Sequence, residues 1–114
     1  MQATKHSWHS YDGFKTVYAY GWYTRTSTRS TVYGYVRDSR SGEKYAGVYL
    51  KTTETGKSGY RSVTLYNPHH HTTARFPAMY SSDLTTHLYV AEILVKKVGG
   101  KWTVVKKGKL HKIY

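Results

Sequence analysis

The stretch "TVYGYVRDSRSGEKYAGVYLKTTE", residues 31–54, decides the fold. Its first run alternates Val32, Gly34 and Val36 with Tyr33 and Tyr35. Side chains two apart share a face of a strand, so small residues line one side and rings the other. Residues 38–43, "DSRSGE", carry Asp, Ser and Gly, which supply turn chemistry, and read as a hairpin connection. The partner strand is then "KYAGVYLKTTE", residues 44–54, with Gly47 marking a bulge or a close backbone approach.

The same style extends outward. In residues 16–24, "TVYAYGWYT", Val17, Ala19, Gly21 and Tyr23 oppose Tyr18, Tyr20 and Trp22. After a turn at 55–59, residues 60–67 form another strand, with Val63 and Leu65 on its apolar side. Residues 67–85 hold both prolines, Pro68 and Pro77, and read as a long loop. Residues 86–98, "THLYVAEILVKKV", are the longest apolar run; their β-branched content favours a strand over a short helix. Gly99–Gly100 and Gly108 punctuate a C-terminal hairpin or meander, with Ile93, Trp102 and Val104 as core candidates. Residues 1–14 read as an irregular N-terminal arm. The expected fold is all-β: a single domain, residues 1–114, built as a small antiparallel β-sandwich or barrel with negligible helix.

A chain of 114 residues is long enough to bury a core without metals or disulfides. It contains no cysteine, which excludes disulfides, zinc-thiolate sites and cysteine nucleophiles. Eighteen Lys and Arg against six Asp and Glu give a formal charge of +12. An excess this large for the length points to a polyanionic partner: nucleic acid, an anionic membrane surface or an acidic wall polymer. The plainer reading is a protein kept soluble by self-repulsion. No apolar run reaches the roughly 20 residues that a membrane-spanning helix needs. The polar start, "MQATKHSWHS", suits a mature secreted protein whose leader is replaced by Met1, and equally a cytosolic start.

Motifs for catalysis are absent. The six acids, Asp12, Asp38, Glu43, Glu54, Asp83 and Glu92, show no catalytic spacing, and phosphate-binding, zinc-protease and nucleophile-elbow patterns are missing. His69, His70 and His71 read as exposed loop residues rather than metal ligands, because zinc sites spread their ligands over a defined scaffold. No cofactor is expected. The strongest physical signal is the interleaving of rings and cations. Tyr18, Tyr20, Trp22, Tyr33 and Tyr35 can stack on sugars or bases, while Arg25, Arg29, Arg37, Arg40, Lys106, Lys107 and Lys109 meet anionic groups. The alternative for the rings is cross-strand pairing that stabilises a sheet without a ligand.

Residues 30–67 resemble the lactococcin-type bacteriocins that act on septum formation. The matching elements are Trp8 and Gly13, Ser30 with Val32, the turn at Ser41–Gly42, Ala46–Gly47–Val48, and Tyr66–Asn67. The resemblance spans residues 8–67 and has no counterpart from Pro68 onward. It implies a small exported β-sandwich of a Gram-positive bacterium that acts by binding an envelope target. The expectation is therefore a secreted protein that binds an anionic cell-envelope component. A nucleic-acid-binding β-barrel module and a metal-independent phosphodiester-cleaving enzyme using His and Lys are the alternatives.

Overall fold

A computed structural model describes residues 4–10, 14–26, 29–54, 58–81 and 85–114. These residues contain nine strands and no helix: β1 (Lys5–His9), β2 (Val17–Arg25), β3 (Ser30–Asp38), β4 (Lys44–Glu54), β5 (Arg61–Tyr66), β6 (Thr72–Ser81), β7 (Thr85–Val98), β8 (Lys101–Lys107) and β9 (His111–Lys112). One antiparallel sheet has the order β1-β2-β3-β6; the other has β5-β4-β7-β8, with β9 also paired to β7. The two pack face to face as a small β-sandwich in one domain.

The alternation read from the sequence sets the inner faces. Val17, Ala19, Val32 and Val36 of the first sheet meet Ala46, Val48, Leu50, Leu88, Val90 and Leu94 of the second. Each fully buried Val or Leu contributes about 1.5–3 kcal/mol relative to exposure.

The connection at 38–43 is a crossover, not a hairpin. β3 pairs with β2 and β6, whereas β4 pairs with β5 and β7. Asp38 explains the difference. It is fully buried, and its carboxylate accepts the Arg40 N–H at 2.7 Å and the Ala46 N–H at 3.0 Å. A carboxylate satisfied by backbone on both sides of the turn fixes the chain as it passes between layers.

Two segments expected to be irregular contain strands. β1 lies within the 1–14 arm because Trp8 is buried, facing Gly21, and its Nε1 donates to the Tyr33 carbonyl at 3.0 Å. Trp8 and Phe76 cover Gly34, where a Cβ would lie 2.7 and 2.5 Å from their rings. β6 occupies ten residues of the expected 67–85 loop. Pro77 is compatible with it for two reasons. β6 is an edge strand, and the register with β3 shifts between Val32 and Gly34, so the ladder is interrupted beside the proline.

Among the core candidates, Ile93 is buried over Gly47, where a Cβ would sit 2.9 Å from its Cγ1; Gly47 thus serves a close approach. Trp102 is instead only half-buried, and Val104 is 43% exposed, because both stand on the outer face of the edge strand β8. The C-terminal strands form a hairpin rather than a meander, since β9 pairs with β7 and not with β8.

Candidate functional site

The outer face of the first sheet gathers the predicted rings. Register places Tyr20 opposite Tyr35, Trp22 opposite Tyr33 and Tyr18 opposite Arg37. The centroids are 5.3 Å apart for Tyr18–Tyr20, 5.3 Å for Tyr20–Tyr35 and 5.1 Å for Trp22–Tyr33, and Trp22–Tyr35 at 6.4 Å joins the two groups. His9 extends the row from β1, 6.5 Å from Tyr18. The small residues behind this row make it possible. Ala19, Gly21, Gly34 and Val36 take the inner positions, so every ring of β2 and β3 from Tyr18 to Tyr35, Tyr23 excepted, stands outward.

Cations border the row. The Lys5 Nζ lies 5.3 Å from the Trp22 centroid. Arg75 on β6 stands opposite Tyr35, and Arg37 closes the end beside Tyr18. Lys5, Arg37 and Arg75 are all exposed, as is Tyr18. Such a face offers stacking surface and positive charge together.

The remaining predicted cations lie elsewhere. Arg25 sits 4.4 Å over the Tyr114 ring, which packs on Tyr23 at 4.6 Å and closes one end of the sandwich. Arg29 belongs to the turn after β2, where its N–H is donated to Thr26 Oγ1 at 3.0 Å. Arg40 is half-buried and donates from Nη1 to Thr16 Oγ1 at 2.8 Å. Lys106 and Lys107 belong to the second sheet, 5.9 Å from the Phe14 centroid and 3.7 Å from that of Tyr49. Lys109 is exposed just beyond them. Conversely, Lys5 and Arg75 were not singled out in the sequence, because only the pairing of β1 with β2 and of β6 with β3 brings them to this face.

The histidine triplet is a turn rather than an extended run. His71 has a φ of 56°, and His70 reaches the Asp38 carboxylate at 3.2 Å and the Gly42 carbonyl at 2.7 Å. His71 contacts Ser41 at 3.2 Å. The other described carboxylates are likewise engaged, Glu92 and Glu54 at buried positions and Glu43 at an exposed one. Glu92 accepts from Ser10 Oγ at 2.5 Å and the Phe14 N–H at 2.9 Å, Glu54 pairs with Arg61 at 3.0 Å, and Glu43 with Lys96 at 3.3 Å. Asp12, Gly13 and Asp83 lie outside the described residues. Among the described residues, no three His, Asp or Glu side chains converge on a metal-sized point, and no helix is long and apolar enough to cross a membrane. Comparison with family models, with curated proteins and with solved structures gives no match.

Proposed function

We propose that this protein is a non-catalytic binder of an anionic glycopolymer of the bacterial envelope, engaged on the outer face of its first sheet. The carrying observation is the connected row of Tyr18, Tyr20, Tyr35, Trp22 and Tyr33 flanked by Lys5, Arg37 and Arg75. Rings stack on the apolar faces of sugars, and the flanking cations meet phosphate or carboxylate groups along the polymer. The resemblance of residues 8–67 to lactococcin-type bacteriocins supports the envelope as the location and an exported, bacteriocin-like factor as the kind of protein.

A second reading, single-stranded nucleic acid, is favoured by the near-parallel planes of Trp22 and Tyr33, 18° apart, since unpaired bases stack on such pairs. For the phosphodiesterase reading, His70 is not available as a base, since both of its ring nitrogens face protein acceptors.

The test is titration with wall teichoic acid and with single-stranded DNA at low and moderate salt. Teichoic acid is expected to bind at low salt and to weaken steeply as salt rises, because cations on the protein release counterions from the polymer. Tyr20→Ala with Tyr35→Ala is expected to lower affinity by about tenfold or more. Tighter binding of DNA than of teichoic acid favours the second reading. If neither polymer binds at low salt, the charge serves solubility and the ring row serves only the sheet.

A further inference from the structure

The second sheet has an aromatic group of its own on its outer face. Tyr45 of β4 and Trp102 of β8 meet edge to face, with centroids 5.2 Å apart and planes at 85°. Tyr66 of β5 packs against Trp102 at 4.7 Å, and His70 lies parallel on Tyr45 at 4.0 Å. Each of these two rings is therefore braced by a further ring. Beside them opens a groove of about 340 Å³, lined by Glu43, Tyr45, Pro68, Lys96, Lys97 and Trp102. Its size is at the lower end of small-ligand pockets, about 300–1,000 Å³, the scale of one sugar residue.

The polar groups at this groove are mixed in sign. Lys96 and Glu43 form an ion pair at 3.3 Å with both side chains substantially exposed. A pair in that setting is weak, so either partner exchanges readily for a ligand group. Lys97 is exposed and reaches within 5.8 Å of the Trp102 centroid. An aromatic corner suits the C–H face of a pyranose ring, two ammonium groups suit a carboxylate, and a Glu carboxylate accepts hydroxyl donors. Glu43 also selects between ligand classes. It accepts from sugar hydroxyls and repels anions in proportion to their charge, so a saccharide with a single carboxylate fits better than a nucleotide with a phosphate dianion.

We propose that this groove is a second binding site, specific for a single saccharide residue bearing a carboxylate, of the hexuronate type. It lies on the opposite sheet from the ring row, and it makes the protein bivalent. Trp102 and Tyr45 form the stacking walls, Lys96 and Lys97 take the carboxylate, and Glu43 orients the hydroxyls.

The experiment is an NMR titration of the whole chain with glucuronate, glucose and uridine monophosphate, following the Trp102 indole N–H and the amides of Tyr45, Lys96 and Lys97. Glucuronate is expected to shift these signals saturably with a dissociation constant on the order of 1 mM. Lys97→Gln, at an exposed position, is expected to weaken it several-fold, and Trp102→Ala by about tenfold. Tyr20→Ala with Tyr35→Ala should leave it unchanged, which separates this site from the ring row. Absence of saturation, an equal response to glucose, tighter binding of the nucleotide, or indifference to Lys97→Gln overturns the proposal.

Discussion

His70 lies parallel to Tyr45, with 4.0 Å between ring centroids and 5° between planes. In this pose its Nδ1 faces the Asp38 carboxylate at 3.2 Å and its Nε2 faces the Gly42 carbonyl at 2.7 Å. Both partners are acceptors, so both bonds form only when the ring carries two protons. The Gly42 carbonyl and then Asp38 push the pKa above the ordinary 6.5, against partial desolvation and the repulsion of Arg40. A folded-state pKa above the unfolded one favours the folded state when the ring is protonated. The contribution is fully present below 6.5 and is lost as pH rises through the folded value. Urea unfolding at a series of pH values is expected to show a fall in stability above that point, relative to a His70→Gln variant. Parallel pH profiles for the two proteins would remove His70 as its source.

Charge is spread over both sheets, but the proposed polymer face uses only part of it. Lys5, Arg37 and Arg75 border the ring row, whereas Lys106 and Lys107 lie against Phe14 and Tyr49, which are not part of it. Reversing the first three to Glu is expected to abolish measurable binding of teichoic acid at moderate salt. Reversing Lys106, Lys107 and Lys109 changes the net charge equally and is expected to weaken binding only through the long-range field, within a Debye length of about 10 Å. Salt titration of the two triple variants reads the difference. Equal losses would mean that charge acts without a defined face.

Gly21 and Gly34 stand opposite each other where β2 pairs with β3. A Cβ on Gly21 would lie 2.0 Å from the Tyr33 carbonyl oxygen and 2.6 Å from the Gly34 Cα. The nearest atoms to a Cβ on Gly34 belong to side chains, the Phe76 and Trp8 rings. Rings repack more easily than strands separate. Gly34→Ala is therefore expected to cost about 1–3 kcal/mol, and Gly21→Ala more. Chemical denaturation checks the order, and a milder effect at Gly21 would contradict this geometry.

The alternation of small residues and rings in 17–24 and 31–37 made the sides of β2 and β3 legible, and with them the ring row. Sheet assignment was not legible from the same letters. Asp, Ser and Gly mark a reversal of direction equally well in a hairpin and in a crossover, and only the pairing of β3 with β6 and of β4 with β7 separates the two. β6 was hidden by Pro77, which argues against a strand unless the strand is at an edge or irregular in register, as it is here. Arg75 was lost with it. Trp102 looked like core because large rings are usually buried, yet its strand edges the sheet and leaves it half-open. That half-open ring is what forms the second groove.

Asn67 is fully buried where the chain leaves β5 for β6, and it spans three segments. Its Nδ2 donates to the Val36 carbonyl at 3.1 Å and the Thr72 carbonyl at 3.0 Å, while its Oδ1 accepts the His69 N–H at 3.0 Å. Its own N–H is donated to Ala46 at 2.8 Å. The side chain thus needs a donor on one side and an acceptor on the other, which an amide provides and a carboxylate does not. Asn67→Ala removes these three side-chain hydrogen bonds from a buried site and is expected to cost about 2–4 kcal/mol. Asn67→Asp keeps the acceptor for His69 but sets a carboxylate against two carbonyl oxygens. At neutral pH it is expected to be at least as damaging as Ala, and to recover as acid protonates the new carboxyl and restores a donor. Denaturation of both variants at neutral and acidic pH, referred to wild type at each pH, reads this crossing. An Asp variant as stable as wild type at neutral pH would show that the two carbonyl contacts do not hold the turn.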